Sequence, residues 1–236
     1  APYGAAGFLK RQFGNFKING EVTPEFVTYI NNFAKTWRVV RSNKKIKKQY
    51  PNWKEYSFNG DLGKKGEYFA CPEDNNKSIT DYNIHPAQFS DFCSWQVVEE
   101  NGNYYVKWNG SPEFDAPAPW LKYLLDNFFI PSGLSFSGAS VSVAGQGDVF
   151  IMVIWNNQFA YYRWDKGDKT ENIINVLKKE CDDKGILNAL DEILLHANEI
   201  DTLFSFDTDD DKWEALFESF FAEGTFILPE DIAKMI

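Results

Sequence analysis

"SFSGASVSVAGQGDVFIMVIWNNQFAYYRW", residues 135 to 164, decides how the rest of the chain is read. Three apolar and β-branched segments are separated by Gly145-Gln146-Gly147 and by Asn156-Asn157. Short runs of this kind bounded by Gly and Asn are strands, and connections this tight join neighbours antiparallel. The stretch predicts a three-stranded antiparallel meander. "AGQGD" lacks the third glycine and following helix of a dinucleotide motif, and the lysine of a phosphate loop, so it reads as a turn.

Towards the N-terminus, "SWQVVEENGNYYVKWNG" places two aromatic and β-branched segments around Asn101-Gly102, the strongest short hairpin signal. "FGNFKINGEV" reads as a strand ending in an Asn-Gly turn, and "YSFNGDLGKKGEYFACP" as a short hairpin around Gly60 to Gly66. Two helices interrupt the strands. In "TPEFVTYINNFAKTW", Thr23 caps, Pro24 suits the first helical position, and Phe26, Ile30, Phe33 and Trp37 recur at helical spacing. "APAPWLKYLLDNFFIP" is a helix opened by Pro119 and closed before Pro131. Beyond Asp165 the pattern is helical, with Ile186, Leu187, Leu190, Ile193, Leu194 and Ala197 on one apolar face. This order predicts an α+β fold, an antiparallel sheet with packed helices and a helical, acidic C-terminal region. The expected division is a body over residues 1–164 and a subdomain over 165–236.

The 236 residues are 44% apolar and 17% aromatic, which suits a folded protein with a substantial core. No run approaches the roughly 20 apolar residues that span a bilayer, and the N-terminal residues lack the order of a signal peptide. Ala1 is expected to follow a removed initiator Met, with a cleaved leader as the alternative. Cys71, Cys93 and Cys181 are odd in number and widely spaced, unlike a disulfide scaffold or zinc ribbon, so a reducing, cytoplasmic location is expected.

Charge is unevenly placed. The net charge is −10, yet residues from Asp165 onward hold 19 acidic against 7 basic side chains. "RVVRSNKKIKKQYPNWK", Arg38 to Lys54, instead holds seven Lys or Arg and no acid. The bland reading of that run is a solvated surface; the sharper one is a contact surface using Arg41, Lys44, Lys45, Lys47 and Lys48. Tyr50 and Trp53 would be available for stacking on nucleic acid, but overall acidity repels phosphate and weighs against that partner.

"DTDDDKWEALFE", Asp207 to Glu218, carries most of a calcium-binding EF-hand loop, with acids at its first, third, fifth and twelfth positions. Lys212 stands where the turn glycine belongs, and Glu214 where an aliphatic residue is usual. Trp213, Leu216, Phe217, Phe220 and Phe221 fall on one helical face, so the segment reads as a helix with an acidic first turn. Asp209, Asp210 and Asp211 are then the leading candidate contact surface, for a basic partner, with the Arg38 to Lys54 run as the next candidate. No metal or cofactor is expected.

No catalytic constellation is evident. The two histidines, His85 before Pro86 and His196 near a helix end, read as structural, and neither a G-x-S-x-G elbow nor an H-E-x-x-H pair occurs. Trp95, Trp108, Trp120 and Trp155 lie in predicted elements where burial is the default.

"YNIHPAQFSDFCSW", "EENGNYYVKWNG", "WLKYLLDNFFIPSG" and "FSGASVSVAGQG" together resemble the motif order of a family of uncharacterised proteins from gut bacteria, their phages and mobile elements. The resemblance covers residues 82–157 and departs twice. Trp-Asp-Gly becomes Trp108-Asn109-Gly110, and an acidic pair expected after Gly145 becomes Gln146-Gly147. It implies an accessory protein of a virus, phage or mobile element and supplies no activity. The reading favoured is a non-enzymatic interaction protein with a protein partner. The alternative is a carboxylate- and Trp-based enzyme or binder acting on a glycan or polar small molecule.

Overall fold

The computed structural model describes residues 9–74, 77–111, 116–145, 147–155, 157–205 and 226–227. The predicted meander is present as β6 (Ser135–Ala144), β7 (Val149–Trp155) and β8 (Gln158–Arg163), paired antiparallel. On β7, Phe150, Met152 and Ile154 enter one apolar cluster, while Val149, Ile151 and Val153 enter a second on the opposite face. A strand covered on both faces must be apolar at every position, which is why this run shows no alternation.

β1 (Leu9–Asn19) lies between β6 and the hairpin of β4 (Trp95–Glu100) and β5 (Asn103–Trp108). The hairpin turn has Asn101 and Gly102 at φ of 52° and 80°, the left-handed pair that a two-residue turn requires. The sheet order is β4-β5-β1-β6-β7-β8, antiparallel throughout, and β9 (Phe226–Ile227) is added parallel to β8. The fold is α+β.

One face of the sheet is covered by α1 (Pro24–Lys35) and α3 (Pro117–Leu124). Thr23 caps α1 by accepting from the Phe26 amide at 3.2 Å. α3 opens at Pro117, two residues before the expected Pro119, and continues through a wider turn over Leu125–Phe129 into a 3-10 turn over Ile130–Ser132. Proline is tolerated throughout a first helical turn because those amides lack intrahelical partners, so either proline satisfies the pattern. Fully buried Phe16, Phe33, Trp95, Trp120, Phe128 and Phe136 fill this layer.

The other face is covered by α4 (Thr170–Glu180), α5 (Lys184–Leu195) and α6 (Ala197–Leu203). Ile186, Leu190 and Ile193 of α5 point into the sheet. Gly14 on β1, at φ +84°, has no room for a side chain: a Cβ there would collide with the Ala139 carbonyl of neighbouring strand β6 and sit 3.1 Å from Ile193 Cδ1 of α5. The expected apolar face of α5 is therefore the second half of the core.

Edge strand β4 is guarded rather than left open. The Asn31 side chain on α1 accepts from the Val97 amide at 2.7 Å and donates to the Val97 carbonyl at 3.1 Å, imitating one residue of a neighbouring strand.

A small third cluster sits beside these layers. β2 (Val39–Arg41) pairs with β3 (Ile79–Ile84), and α2 (Asn43–Gln49) follows β2. Ile46, Leu62, Phe69 and Cys71 form its centre, flanked by Tyr50, Trp53 and Tyr56. The hairpin expected around Gly60 to Gly66 is absent from this region. Phe58 and Asp61 bond each other across a tight turn, and a 3-10 turn follows over Lys64–Gly66. Asn59, Gly60, Gly63, Lys65 and Gly66 all have positive φ, so the chain reverses every few residues and never extends into paired strands. No helix among the described residues is long and apolar enough to cross a membrane. The Asp207 to Glu218 segment, with Asp209, Asp210 and Asp211, lies outside the described residues.

Candidate interaction surface

The basic run Arg38 to Lys54 divides into an inside and an outside. Arg38 and Arg41 are buried, at 1% and 3% exposure. Arg38 donates to the carbonyls of Thr36 (2.9 Å), Glu67 (3.1 Å) and Phe69, with its guanidinium carbon 4.1 Å from the Phe33 ring centre. Irregular chain buried beside a core leaves carbonyls unpaired, and a fork of five donors satisfies several at once. Burial pulls the Arg38 pKa down to about 10, which leaves it charged at neutral pH.

Arg41 corrects the expected contact set. Its Nη1 pairs with Asp74 and donates to Ser78 Oγ at 2.8 Å, and its Nη2 donates to the Trp37 carbonyl at 3.0 Å. Burial lowers its pKa, an effect that Asp74 opposes. β2 side chains alternate, so Val39 and Arg41 turn inward together. Arg41 holds the base of the surface and does not line it.

The lysines behave differently. Ser42 caps α2 by accepting from the Lys45 amide at 3.2 Å, and Ile46 is the buried anchor of the helix. Lys44, Lys45, Lys47 and Lys48 flank that anchor and are exposed. None of the four forms an ion pair among the described residues.

The fold adds two lysines that are distant in sequence. The Asn43 side chain donates to the Gly63 carbonyl at 2.7 Å and accepts from the Gly66 amide at 2.8 Å, which pins the loop carrying exposed Lys64 and Lys65 to the start of α2. No sequence pattern marks this pairing. An Asn some 20 residues upstream of a Gly-Lys-Lys-Gly turn is ordinary until the backbone brings them together.

The aromatic side chains expected to stack on bases are already engaged. The Tyr50 hydroxyl donates to Asp74 Oδ1 at 2.7 Å, and Lys47 Nζ lies 4.6 Å from the Trp53 ring centre. Lysine ammonium groups dominate this surface, and two of them, on Lys47 and Lys54, lie near the Trp53 ring.

The two histidines and three cysteines are placed as follows. Buried His85 pairs its Nε2 with the Lys64 carbonyl at 2.7 Å, while its Nδ1 accepts from the Ala87 amide at 3.1 Å. That pattern assigns the proton to Nε2 and leaves neither nitrogen free. His196 caps α5, packs 4.9 Å from Phe13 and lies 3.5 Å from Glu199. Burial pushes the Cys93 thiol up to about 12 and raises those of Cys71 and Cys181. Among the described residues no cluster of His, Cys, Asp and Glu is placed to hold a metal.

Several residues of the motifs behind the family resemblance make contacts within the fold. Trp95 and Trp120 are buried and donate to the Pro117 carbonyl and Ser90 Oγ at 2.9 and 2.7 Å. Trp108 and Trp155 are half-buried. Asn109 Oδ1 accepts from the Ser111 amide at 3.0 Å, a turn bond that an Asp would make equally well. Exchanging Asp for Asn in Trp108-Asn109-Gly110 therefore preserves the turn. Comparison with protein-family models, curated proteins and solved structures returns no match to this chain.

A second feature is a groove of about 690 Å³ between the start of α1, residues 54–59 and the Ser132–Leu134 segment. Phe26, Tyr29, Phe58 and Leu134 line it together with Glu21, Glu25, Glu55 and Lys54.

Proposed function

We propose that this is a non-enzymatic interaction protein whose α2 face, Lys44, Lys45, Lys47 and Lys48 with Lys64 and Lys65, binds an acidic surface of a partner protein. One observation carries the reading. The first turn of α2 contains no acid, and Lys44 and Lys45 lie there against the helix dipole. Like charges so placed lose roughly 0.3–1 kcal/mol each in local stability, and departures from local rules without structural benefit concentrate at functional surfaces. Ile46, Asn43 and the Arg41–Asp74 pair hold that face rigidly, which lowers the entropy lost on docking.

A protein is preferred to nucleic acid because the aromatic side chains of this face are engaged within the fold, Trp53 with Lys47 and Tyr50 with Asp74, rather than offered for base stacking. The motif resemblance over residues 82–157 adds that such a protein would serve a virus, phage or mobile element as an accessory factor in the host cytoplasm.

Poly-L-glutamate and duplex DNA are suitable immobilised probes. The wild type is expected to bind poly-L-glutamate, with affinity falling as salt rises, and the Lys44→Gln/Lys45→Gln/Lys47→Gln/Lys48→Gln variant to bind about tenfold more weakly with unchanged circular dichroism. Equal binding by both proteins, or tighter binding to DNA than to poly-L-glutamate, refutes the proposal.

A further inference from the structure

The groove beside α1 carries the opposite charge. Its floor is apolar and aromatic: Phe26 and Tyr29 are buried, and Phe58 is half-buried with its ring 5.4 Å from Tyr29 and 4.9 Å from Phe128. Its rim holds three carboxylates, Glu21, Glu25 and Glu55, against the single cation Lys54. Glu55 accepts from Asn52 Nδ2 at 3.1 Å, whereas Glu21 and Glu25 make no ion pair or hydrogen bond among the described side chains. The volume falls within the range of about 300–1,000 Å³ typical of ligand sites.

The helix end does not make this an anion site. Thr23 takes the Phe26 amide with its side chain and the Val27 amide with its carbonyl, Pro24 has no amide hydrogen, and Glu25 offsets the dipole in the first turn. The groove is lined by aromatic side chains together with three carboxylates.

We propose that this groove takes the arginine side chain of a basic segment of a partner protein. A guanidinium is flat and weakly hydrated, so it stacks on the face of a ring such as Phe58 while its edge donates to two carboxylates. Glu21 and Glu25 supply the carboxylates, and the apolar floor takes the methylene stem. The polar lining residues Thr23, Thr28, Ser57, Asn59 and Ser132 are uncharged, so it is the three carboxylates that favour a cation over a neutral glycan. The inference does not rest on the lysine face.

The test is isothermal titration with acetyl-tetra-arginine amide, with spermine and maltotetraose as comparison ligands. The wild type is expected to bind the arginine peptide, and the Glu21→Gln/Glu25→Gln variant to bind it about tenfold more weakly. Phe58→Leu, which keeps bulk while removing the ring face, is expected to weaken binding severalfold. The quadruple Lys→Gln variant of α2 should bind the peptide at least as well as wild type, which separates this site from the lysine face. Peptide binding unchanged by Glu21→Gln/Glu25→Gln overturns the inference. So does binding of spermine or maltotetraose in preference to the peptide.

Discussion

Replacing Asp74 with alanine is expected to destabilise the protein by about 3–5 kcal/mol, because it strands a buried cation. The side chains of Arg41 and Asp74 are 2% and 1% exposed. Besides pairing with Arg41, the carboxylate accepts from Ser78 Oγ at 2.9 Å and from the Tyr50 hydroxyl at 2.7 Å, so three donors lose their acceptor together. Arg41 has little to turn to, since its Nε already lacks a protein acceptor among the described residues. Against a total stability of roughly 5–15 kcal/mol, the loss is a large fraction.

Replacing both partners by apolar residues, as in Arg41→Met/Asp74→Leu, removes the charge along with its counter-ion and should be far milder than the single change, nearly neutral or even stabilising. Urea unfolding followed by tryptophan fluorescence measures both. With a denaturant slope of about 2 kcal/mol per molar, the single change lowers the midpoint by roughly 1.5–2.5 M, and the double change leaves it near wild type or above. A shift below about 0.5 M for Asp74→Ala would show that water reaches the pair. A double variant as unstable as the single one would show that Asp74 acts through Ser78 and Tyr50 rather than through the charge.

Three further outcomes are expected. Asn31→Ala leaves the Val97 amide and carbonyl on the β4 edge without side-chain partners, which should cost about 1–3 kcal/mol and raise aggregation on heating, measured by light scattering. Leu190→Ala empties a fully buried site between α5 and the sheet and should cost about 2–5 kcal/mol in chemical denaturation; a loss under 1 kcal/mol would contradict the packing. Towards a disulfide reagent, half-buried Cys181 should react first, and faster as pH rises, because burial and the neighbouring Asp182, Asp183 and Glu180 raise its pKa and make the thiolate scarce at neutral pH. Cys93, fully buried and pushed up to about 12, should react only on unfolding, and native reactivity there would refute its burial.

Much of the fold was legible because it is encoded locally. The Asn101-Gly102 turn, the Thr23-Pro24 helix start and the doubly apolar β7 each follow from backbone preferences and side-chain period within a dozen residues. The hairpin expected near Gly60 failed for the same kind of reason, since too many left-handed residues keep the chain from extending.

What the sequence alone could not divide was the basic run. Seven cations without an acid look uniform from Arg38 to Lys54, yet two are buried and five exposed. The division depends on β2 pairing with β3 some 40 residues later, which turns Val39 and Arg41 inward, and on Ile46 entering a cluster with Leu62 and Phe69. The carboxylate that makes Arg41 a core residue is 33 positions away, and Lys64 and Lys65 join the surface on a loop that Asn43 and His85 hold. Local pattern determines which elements form and which of their faces are apolar. Which charged side chain is left facing water was decided by contacts between segments far apart in the chain, because burying a charge is tolerable only where folding delivers its partner.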